Sequence, residues 1–291
     1  MAVNVIIGMN GFGDGLYQRA FVKKLTPPIY LQTPWPELYS DIAGVHFVKP
    51  PTQLRTQLKN ISRHSGWVVP PRVATRQIGY GREGIVNGLR AAFGVEPGSF
   101  DLPPLPRSPV SGDYVVVRPV TLRNEWLAVS RNPLPEYVAR AADVARDSGL
   151  TVVSVADLVP GVEWALDPLP KSDITFHAGE LDVLRLLALV ANARAIIGGI
   201  GWIVPAAIAA RVPAFIICGG CGGYNAPELI TGKHVDSSRV HFVVPDHFCR
   251  CTMARHNCKK RISGFEKQLA AFAGGHFFVG REYGHGLRQH A

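Results

Sequence analysis

The chain has 291 residues, of which 47% are hydrophobic and 18% are charged. This length suits two domains of ordinary size, and the composition excludes a disordered protein. Lysine and arginine total 31 against 22 acidic residues, a net charge of +9. That charge favours anionic partners such as nucleic acid, nucleotide phosphates or an anionic membrane surface, and a merely basic soluble enzyme fits it equally well.

The segment at 183–218 is the longest apolar stretch, and arginines and a proline interrupt it. It therefore predicts buried helices and strands rather than a membrane span. The N-terminus shows no basic leader with a cleavage site, because its first apolar run already has the pattern of a strand. The expected location is the cytoplasm, or the host cytoplasm if a phage encodes the protein.

The first part of the chain alternates between predicted strands and helices. A β-branched run at 3–7 predicts a strand, a glycine-rich turn follows at 8–15, and helical spacing runs over 16–25. The other elements predicted here are strands at 29–31 and 45–48 and a helix at 85–93 that ends at Gly94.

Residues 96–112 contain five prolines without periodicity, a composition typical of a semi-rigid linker. Beyond it, strands are predicted at 114–117, 151–155, 195–197 and 214–217, and helices at 135–148, 181–193, 203–210 and 263–273. Apolar strands that alternate with helices predict parallel sheets covered on both faces. The fold prediction is α/β, with Rossmann-like domains at 1–108 and 109–262 facing across a cleft. The C-terminal helix and tail, 263–291, are expected to pack back on the first domain.

Ligands of open parallel sheets bind beyond the carboxyl ends of the strands, so the cleft is the predicted site. The turn after the first strand presents Asp14 in the first turn of a helix. Backbone N–H groups and the helix dipole favour an ionised carboxylate there, which suits a general base, although helix capping explains an Asp at this position equally well. Gly11 and Gly13 match the dinucleotide fingerprint only loosely, because Gly15 comes one residue early, and a nicotinamide cofactor is disfavoured.

Three segments resemble the glycosyltransferase family that includes the lipopolysaccharide heptosyltransferases, glycosyltransferase family 9. They are GFGDGLYQRAFVKKL at 11–25, IYLQTPWPELYSDIAGVHFVKP at 29–50 and IIGGIGWIVPAAIAARVPAFIICGG at 196–220. The resemblance implies the two-lobed GT-B architecture and a nucleotide-sugar donor. It also implies that Asp14 deprotonates the acceptor hydroxyl in an inverting transfer, with Gly11 and Gly13 at the donor.

The resemblance extends over the family's Gly-x-Asp-Ser-Gly-x-x-His turn, but the chemistry there differs. Ile200 and Gly201 replace the Asp and Ser, and Pro205 replaces the His, so these side-chain donors to the diphosphate are missing. Backbone N–H groups around Gly199, Gly201 and Trp202 remain as predicted phosphate contacts at a helix start. Tight packing of a buried turn is the alternative explanation for the glycines.

Two arginines follow the strand at 114–117, where the family places a basic residue near the leaving diphosphate. Arg118 and Arg123 are therefore predicted to neutralise the charge that develops as the glycosidic bond breaks. A surface ion pair between Arg123 and Glu125 or Asp113 fits the sequence equally well.

His177 and Glu180 follow the segment at 173–176, in a region where GT-B enzymes often contact the nucleotide ribose or base. They are predicted donor contacts on that ground. The alternative for Glu180 is an ordinary acid in the first turn of a helix, which the helix dipole favours.

The chain has five cysteines, and four side chains in one segment match the chemistry of a metal site. Cys249, Cys251, His256 and Cys258 supply the ligands of a tetrahedral zinc site, although the Cys-x-Cys spacing is tighter than in zinc fingers. Reduced, partly buried thiols are the alternative in a cytosolic protein.

The predicted function is inverting transfer of a sugar from a UDP-, GDP- or ADP-linked donor to an acceptor hydroxyl. The basic charge and the short first domain resemble phage transferases that modify hydroxymethylated pyrimidines, so DNA is the first acceptor considered. A cell-surface glycan or lipopolysaccharide precursor is the second. A non-catalytic nucleotide or nucleic-acid binding protein of the same fold is the alternative from another class.

Overall fold

Two separate parallel sheets form the framework of the computed structural model, which describes residues 3–81 and 83–278. The first sheet has the order β3-β2-β1-β4, with β1 Asn4–Ile7, β2 Ile29–Gln32, β3 Val45–Val48 and β4 Thr75–Gln77. The helices of this first lobe are α1 Phe12–Val22, α2 Arg55–Ile61 and α3 Ile85–Phe93, with a 3-10 turn at Pro36–Tyr39.

The second sheet has the order β12-β11-β10-β5-β7-β9. Its strands are β5 Tyr114–Val117, β7 Thr151–Val155, β9 Ile174–Phe176, β10 Ala195–Gly199, β11 Ala214–Ile217 and β12 Val240–Val243. An antiparallel pair, β6 Thr121–Arg123 and β8 Glu163–Ala165, lies beside it. The helices of this second lobe are α4 Pro135–Asp147, α5 Val183–Ala191, α6 Ile203–Ala210, α7 Gly222–Asn225, α8 Pro227–Ile230 and α9 Phe265–His276.

The predicted α/β alternation is confirmed in both lobes. Four-residue β-branched strands are buried on both faces in the second sheet, as β5 and β11 show. Gly94 ends α3 in the left-handed conformation, at a φ of 65°, which glycine adopts without strain. The helix α1 begins at Phe12, four residues earlier than the spacing predicted, because its first turn carries glycines rather than apolar residues.

The two lobes share a hydrophobic core. Leu16 and Phe21 of α1 belong to the same buried cluster as Leu187 of α5 and Ile203 and Val204 of α6. A second cluster lies within the second lobe, on the other face of its sheet. The lobes are therefore joined by apolar packing as well as by chain connection.

The proline-rich segment and the last helix differ from expectation. Lys23, the residue after α1, forms an ion pair with Asp101 at 2.6 Å, and the Gly98 N–H donates to the Ala20 carbonyl, so the segment is docked along the first lobe. The helix α9 packs on α4 and β12 through side chains such as Phe265, and does not return to the first lobe. Its apolar face complements the outer face of the second sheet. Residues 279–291 of the predicted tail lie outside the described residues.

No helix among the described residues combines the length and apolar character needed to cross a membrane.

Candidate active site

A cavity of about 840 Å³ lies between the two lobes. Segments that follow β1, β5, β7 and β10 line it, so it sits beyond the carboxyl ends of the central strands. This is the position that the topology of parallel sheets favours for ligands. Its volume lies toward the upper end of the range for small-molecule sites, which leaves room for a donor and part of an acceptor.

Asp14 lines this cavity from the first turn of α1. Gly11 is the N-cap of the helix, and the Asp14 carboxylate lies directly against it, where a larger residue would collide. Burial raises the pKa of Asp14 from 3.8 to about 6, and the neighbouring Arg131 guanidinium opposes part of that rise. The sequence predicted an ionised acid held by the helix dipole; burial instead places its titration close to neutrality.

The start of α1 contacts the start of α6 across the lobes. A Cβ at Gly13 would lie 3.1 Å from Trp202 Cα and 3.3 Å from Pro205 Cγ, so a larger residue here would crowd the start of α6. The rings of Phe12 and Trp202 pack at 5.5 Å between centroids. The turn that carries Asp14 is thereby fixed against the glycine turn of the second lobe, with both facing the cavity.

Three arginines of the second lobe line the same cavity: Arg118, Arg123 and Arg131. Among the described residues none of them forms an ion pair, and the buried Nε of Arg131 has no hydrogen-bond partner. Burial lowers the pKa of Arg118 to about 10, with the charge of Arg131 adding to that effect. Burial and the charge of Arg123 lower the pKa of Arg131 as well. Guanidinium groups that are unpaired and repel one another are stabilised when an anion binds between them, so this part of the cavity suits an anionic ligand.

Gly201 lies where these charges meet the N-terminus of α6. A Cβ at this position would lie 3.0 Å from Nη1 of Arg118 and 3.5 Å from Nη2 of Arg131. At the start of the eight-residue helix α6, the Val204 N–H donates to the Gly201 carbonyl and Pro205 has no N–H, so the N–H groups of the turn before Val204 are the ones that add to the positive potential. Gly201 and Trp202 line the cavity, whereas Gly199 packs against Pro133, with which a Cβ would clash at 2.8 Å. For Gly199, packing rather than phosphate contact explains the glycine.

Glu180 reaches the cavity and His177 does not. The imidazole Nε2 of His177 lies 2.8 Å from Ser154 Oγ, and burial lowers the pKa of this histidine. Glu180 accepts a hydrogen bond from the Ala178 N–H at 3.0 Å and precedes the helix, since α5 begins at Val183. The acid at the start of this helix is therefore Asp182, the N-cap of α5, and the alternative explanation of Glu180 as a first-turn acid does not apply.

The predicted metal ligands converge. Atoms of Cys249, Cys251, His256 and Cys258 lie within 4.8 Å of one another. The Cys251 and Cys258 sulfurs are 3.6 Å apart, and Nδ1 of His256 lies 3.4 Å from Cys249 Sγ and 3.3 Å from Cys258 Sγ. A tetrahedral ion with metal–sulfur bonds of about 2.3 Å places its ligands roughly 3.5–3.8 Å apart, so this donor set fits a metal ion.

The cysteine cluster supports one wall of the cavity. The Gly222 N–H donates to the Cys249 carbonyl at 2.8 Å, and the Gly223 N–H donates to the Cys251 carbonyl at 3.0 Å. Gly223 and Tyr224 line the cavity on the other side of this turn. The cysteine segment and the cavity wall therefore form one packed unit.

Helix α2 and Arg131 were not recognised in the sequence. Arg55 Nη1 donates to Asp157 at 2.9 Å, and Lys59 Nζ donates to the Gly179 carbonyl at 2.8 Å, so α2 of the first lobe is bound to the second. Seven residues with no strong apolar periodicity gave little signal for this helix. Arg131 lies in a loop between β6 and α4, and only the fold brings it opposite Asp14.

Comparison with known proteins finds similarity in structure alone. No protein-family model matches the chain, and no curated protein matches its sequence significantly. The heptosyltransferase TibC in complex with ADP-D-β-D-heptose superposes with a TM-score of 0.60 at 15% identity, over 94% of this chain and 76% of TibC. In a second TibC structure, from enterotoxigenic E. coli, the match covers 57% of that chain.

Two further structures match nearly their whole length. The E. coli ADP-heptose lipopolysaccharide heptosyltransferase II gives a TM-score of 0.51 at 13% identity, over 94% of this chain and 99% of that one. A family 9 glycosyl transferase from Veillonella parvula gives 0.51 at 11% identity, over 94% and 96%. The chain has the GT-B fold. The predicted likeness to heptosyltransferases is thus confirmed at the level of the fold.

Proposed function

We propose that the protein is an inverting glycosyltransferase that takes its sugar from a nucleotide-sugar donor. The observation that carries the proposal is an unpaired carboxylate opposite unpaired arginines in one cavity of a GT-B fold. Asp14 enters from the first lobe, and Arg118, Arg123 and Arg131 enter from the second, beside the N-terminus of α6. Other carboxylates of the lining, such as Asp157 and Glu163, are already paired with Arg55. An anionic leaving group and a base on opposite sides of the reacting carbon require this arrangement.

In the proposed reaction Asp14 accepts the proton of the acceptor hydroxyl as the oxygen attacks the anomeric carbon. The bond from that carbon to the donor phosphate breaks, and the nucleoside diphosphate leaves with the electron pair. Arg118 and Arg131 stabilise its developing charge, assisted by the N–H groups of α6. The missing Asp-Ser and His of the family turn are thereby replaced by guanidinium groups and backbone donors.

An ADP-linked sugar is the first donor to test, because one structural neighbour, TibC, is described in complex with ADP-D-β-D-heptose. The acceptor we propose is a hydroxymethylated pyrimidine of DNA, with a glycan precursor as the second candidate. The net charge of +9 supports the anionic acceptor.

We also propose a metal ion at Cys249, Cys251, His256 and Cys258. The convergence of three sulfurs and one imidazole nitrogen supports it. Zinc fits this donor set, and iron is the second candidate, because TibC is described as iron-containing. The ion's role is structural, since the cluster holds the turn that forms a cavity wall and the proposed chemistry proceeds without it.

The decisive experiment is a panel of ADP-, UDP-, GDP- and CMP-sugars tested by thermal shift and by release of nucleoside diphosphate. We expect one donor to stabilise the protein and to be turned over slowly. Asp14→Asn should retain donor binding and lose turnover by about 10²–10⁴-fold, because it removes the base but not the phosphate contacts. Arg131→Gln should weaken donor binding itself.

Asp236→Asn is the matched control, since this carboxylate is exposed and outside the cavity. It should behave as the parent protein in both assays. The enzyme proposal fails if no nucleotide sugar binds, or if Asp14→Asn turns the donor over at the parent rate. Binding without turnover in the parent protein would support the non-catalytic alternative.

A further inference from the structure

Two segments without acidic residues border the cavity, one from each lobe. Residues 44–81 of the first lobe contain six lysines and arginines and no Asp or Glu. Residues 247–262 of the second lobe contain five and again no Asp or Glu. We call these segments the two basic rims. Lys59 and Arg63 of the first rim and Thr252 and Ala254 of the second line the cavity, so both rims reach its opening.

Cations on both rims are free to meet a partner. Several are exposed and form no ion pair or side-chain hydrogen bond with any residue that the structure describes; they are Lys49, Arg63, Arg72, Arg255 and Lys259. A protein surface normally intersperses charges of both signs. Arg63 lines the cavity and Arg255 directly follows Ala254, which also lines it, so each rim brings a free cation to the opening. This placement matches a polyanion that crosses the opening.

Aromatic rings line the cavity that these rims border. Tyr80, Trp126 and Tyr224 line the cavity and remain 46%, 53% and 57% exposed. The guanidinium carbons of Arg123 and Arg131 lie 5.4 and 5.2 Å from the centre of the Trp126 ring. These cation–π contacts hold the indole in place while half of its surface stays accessible. Exposed rings interleaved with cations are the arrangement by which proteins bind unpaired nucleotides.

We propose that the opening between the basic rims binds single-stranded or locally unpaired nucleic acid, with bases stacking on Trp126 and its neighbours. The inference rests on the proposed function in so far as the bound strand is the acceptor. A neutral glycan would gain no electrostatic attraction from cations on both rims, and a flat lipid surface could not reach rings that lie inside a cavity. An unpaired base, in contrast, can enter far enough to bring its hydroxyl toward Asp14.

The test measures binding of a fluorescein-labelled oligothymidine of about 20 nucleotides by anisotropy, without any donor, over a range of salt concentrations. We expect the single strand to bind more tightly than a duplex of the same length. Trp126→Ala should weaken it by about 5- to 150-fold, the effect of removing one stacking partner. Trp164→Ala is the matched control, because Trp164 is 36% exposed and does not line the cavity.

Arg63→Gln and Arg255→Gln should each reduce the salt slope by about 0.7, the value for one phosphate contact on a single strand. Lys267→Gln changes an exposed lysine of α9 that belongs to neither rim and does not line the cavity, and it should leave the slope unchanged. The inference is overturned if the oligonucleotide does not bind, if the duplex binds equally well, or if Trp126→Ala has no effect. Binding to phosphatidylglycerol vesicles but not to the oligonucleotide would overturn it in favour of a lipid surface.

These outcomes are separable from those of the donor panel. Oligonucleotide binding without any donor binding would leave this inference standing and overturn the transferase. Donor turnover without oligonucleotide binding would overturn this inference alone and move the acceptor to glycans.

Discussion

At the scale of single residues, the proposed chemistry depends on Asp14 and Arg131. The carboxylate comes from the first turn of α1 and the guanidinium from a loop of the other lobe. Neither has a hydrogen-bonded partner of opposite charge among the described residues. Burial raises the pKa of the acid and lowers that of the cation, and groups shifted in this way are typical of functional sites.

This pair predicts a pH profile. The base acts in its ionised form, and its pKa in the free protein is about 6, so kcat/KM should fall about tenfold per pH unit below that value and level off above it. Arg131→Gln removes the charge that opposes the rise, and the midpoint should move to higher pH. Arg123→Gln, which does not contribute to the Asp14 shift, should leave the midpoint in place. A profile flat from pH 5 to 8 would exclude Asp14 as the base.

At the scale of elements, two short segments complete the cavity. Helix α2 closes one side by binding the second lobe through Arg55 and Lys59. The segment that carries the cysteine cluster supports the opposite wall through the Cys249 and Cys251 carbonyls. Both segments lie outside the sheets, so their positions depend on polar contacts rather than on sheet pairing.

The cysteine segment predicts one bound metal ion per chain. Elemental analysis of the purified protein should find this ion. Cys258→Ser should lower the metal content and the melting temperature together, because the cysteine segment, without its metal ion, no longer holds the cavity wall at Gly223 in place. Cys218→Ser is the matched control for metal content, since Cys218 is buried at the end of β11, outside the cluster. Unchanged metal content in Cys258→Ser would refute the site.

At the scale of the whole molecule, the lobes behave as one packed body. The larger apolar cluster takes side chains from both of them, and the start of α1 rests on the start of α6. Because residues of both lobes line the cavity, it forms only when the two lobes are packed together. The domain boundary near residue 108 stays a prediction, and the larger apolar cluster contains residues from both sides of it.

The shared core predicts a single cooperative unfolding transition. Calorimetry should give equal calorimetric and van't Hoff enthalpies, and Leu187→Ala, in the shared cluster, should lower the one midpoint by the equivalent of about 2–5 kcal/mol. Leu269→Ala, in the cluster confined to the second lobe, should lower the same midpoint without splitting it. Two resolved transitions in the parent protein would contradict this prediction.

Much of the fold was predictable because its signals are local. The strands β3, β5, β7 and β11 and the helices α3 and α6 begin and end where apolar runs and flanking glycine or proline place them. The segments that were missed, among them α2 and β4, are short and carry polar side chains whose partners lie elsewhere in the fold. The α9 helix was recognised, but its partner was not, because an apolar face does not specify which surface it covers.

The sequence by itself determined the alternation of strands and helices, the glycine turn that presents Asp14, and the four clustered metal-type ligands. Periodicity and residue chemistry within a few positions carry that information. Only the tertiary structure decided that Arg131 and Trp126 line the same cavity as Asp14, that His177 and Gly199 lie outside it, and that burial moves the Asp14 pKa toward neutrality. Those properties arise between residues far apart in the chain, where distance and burial follow from packing and not from neighbours in sequence.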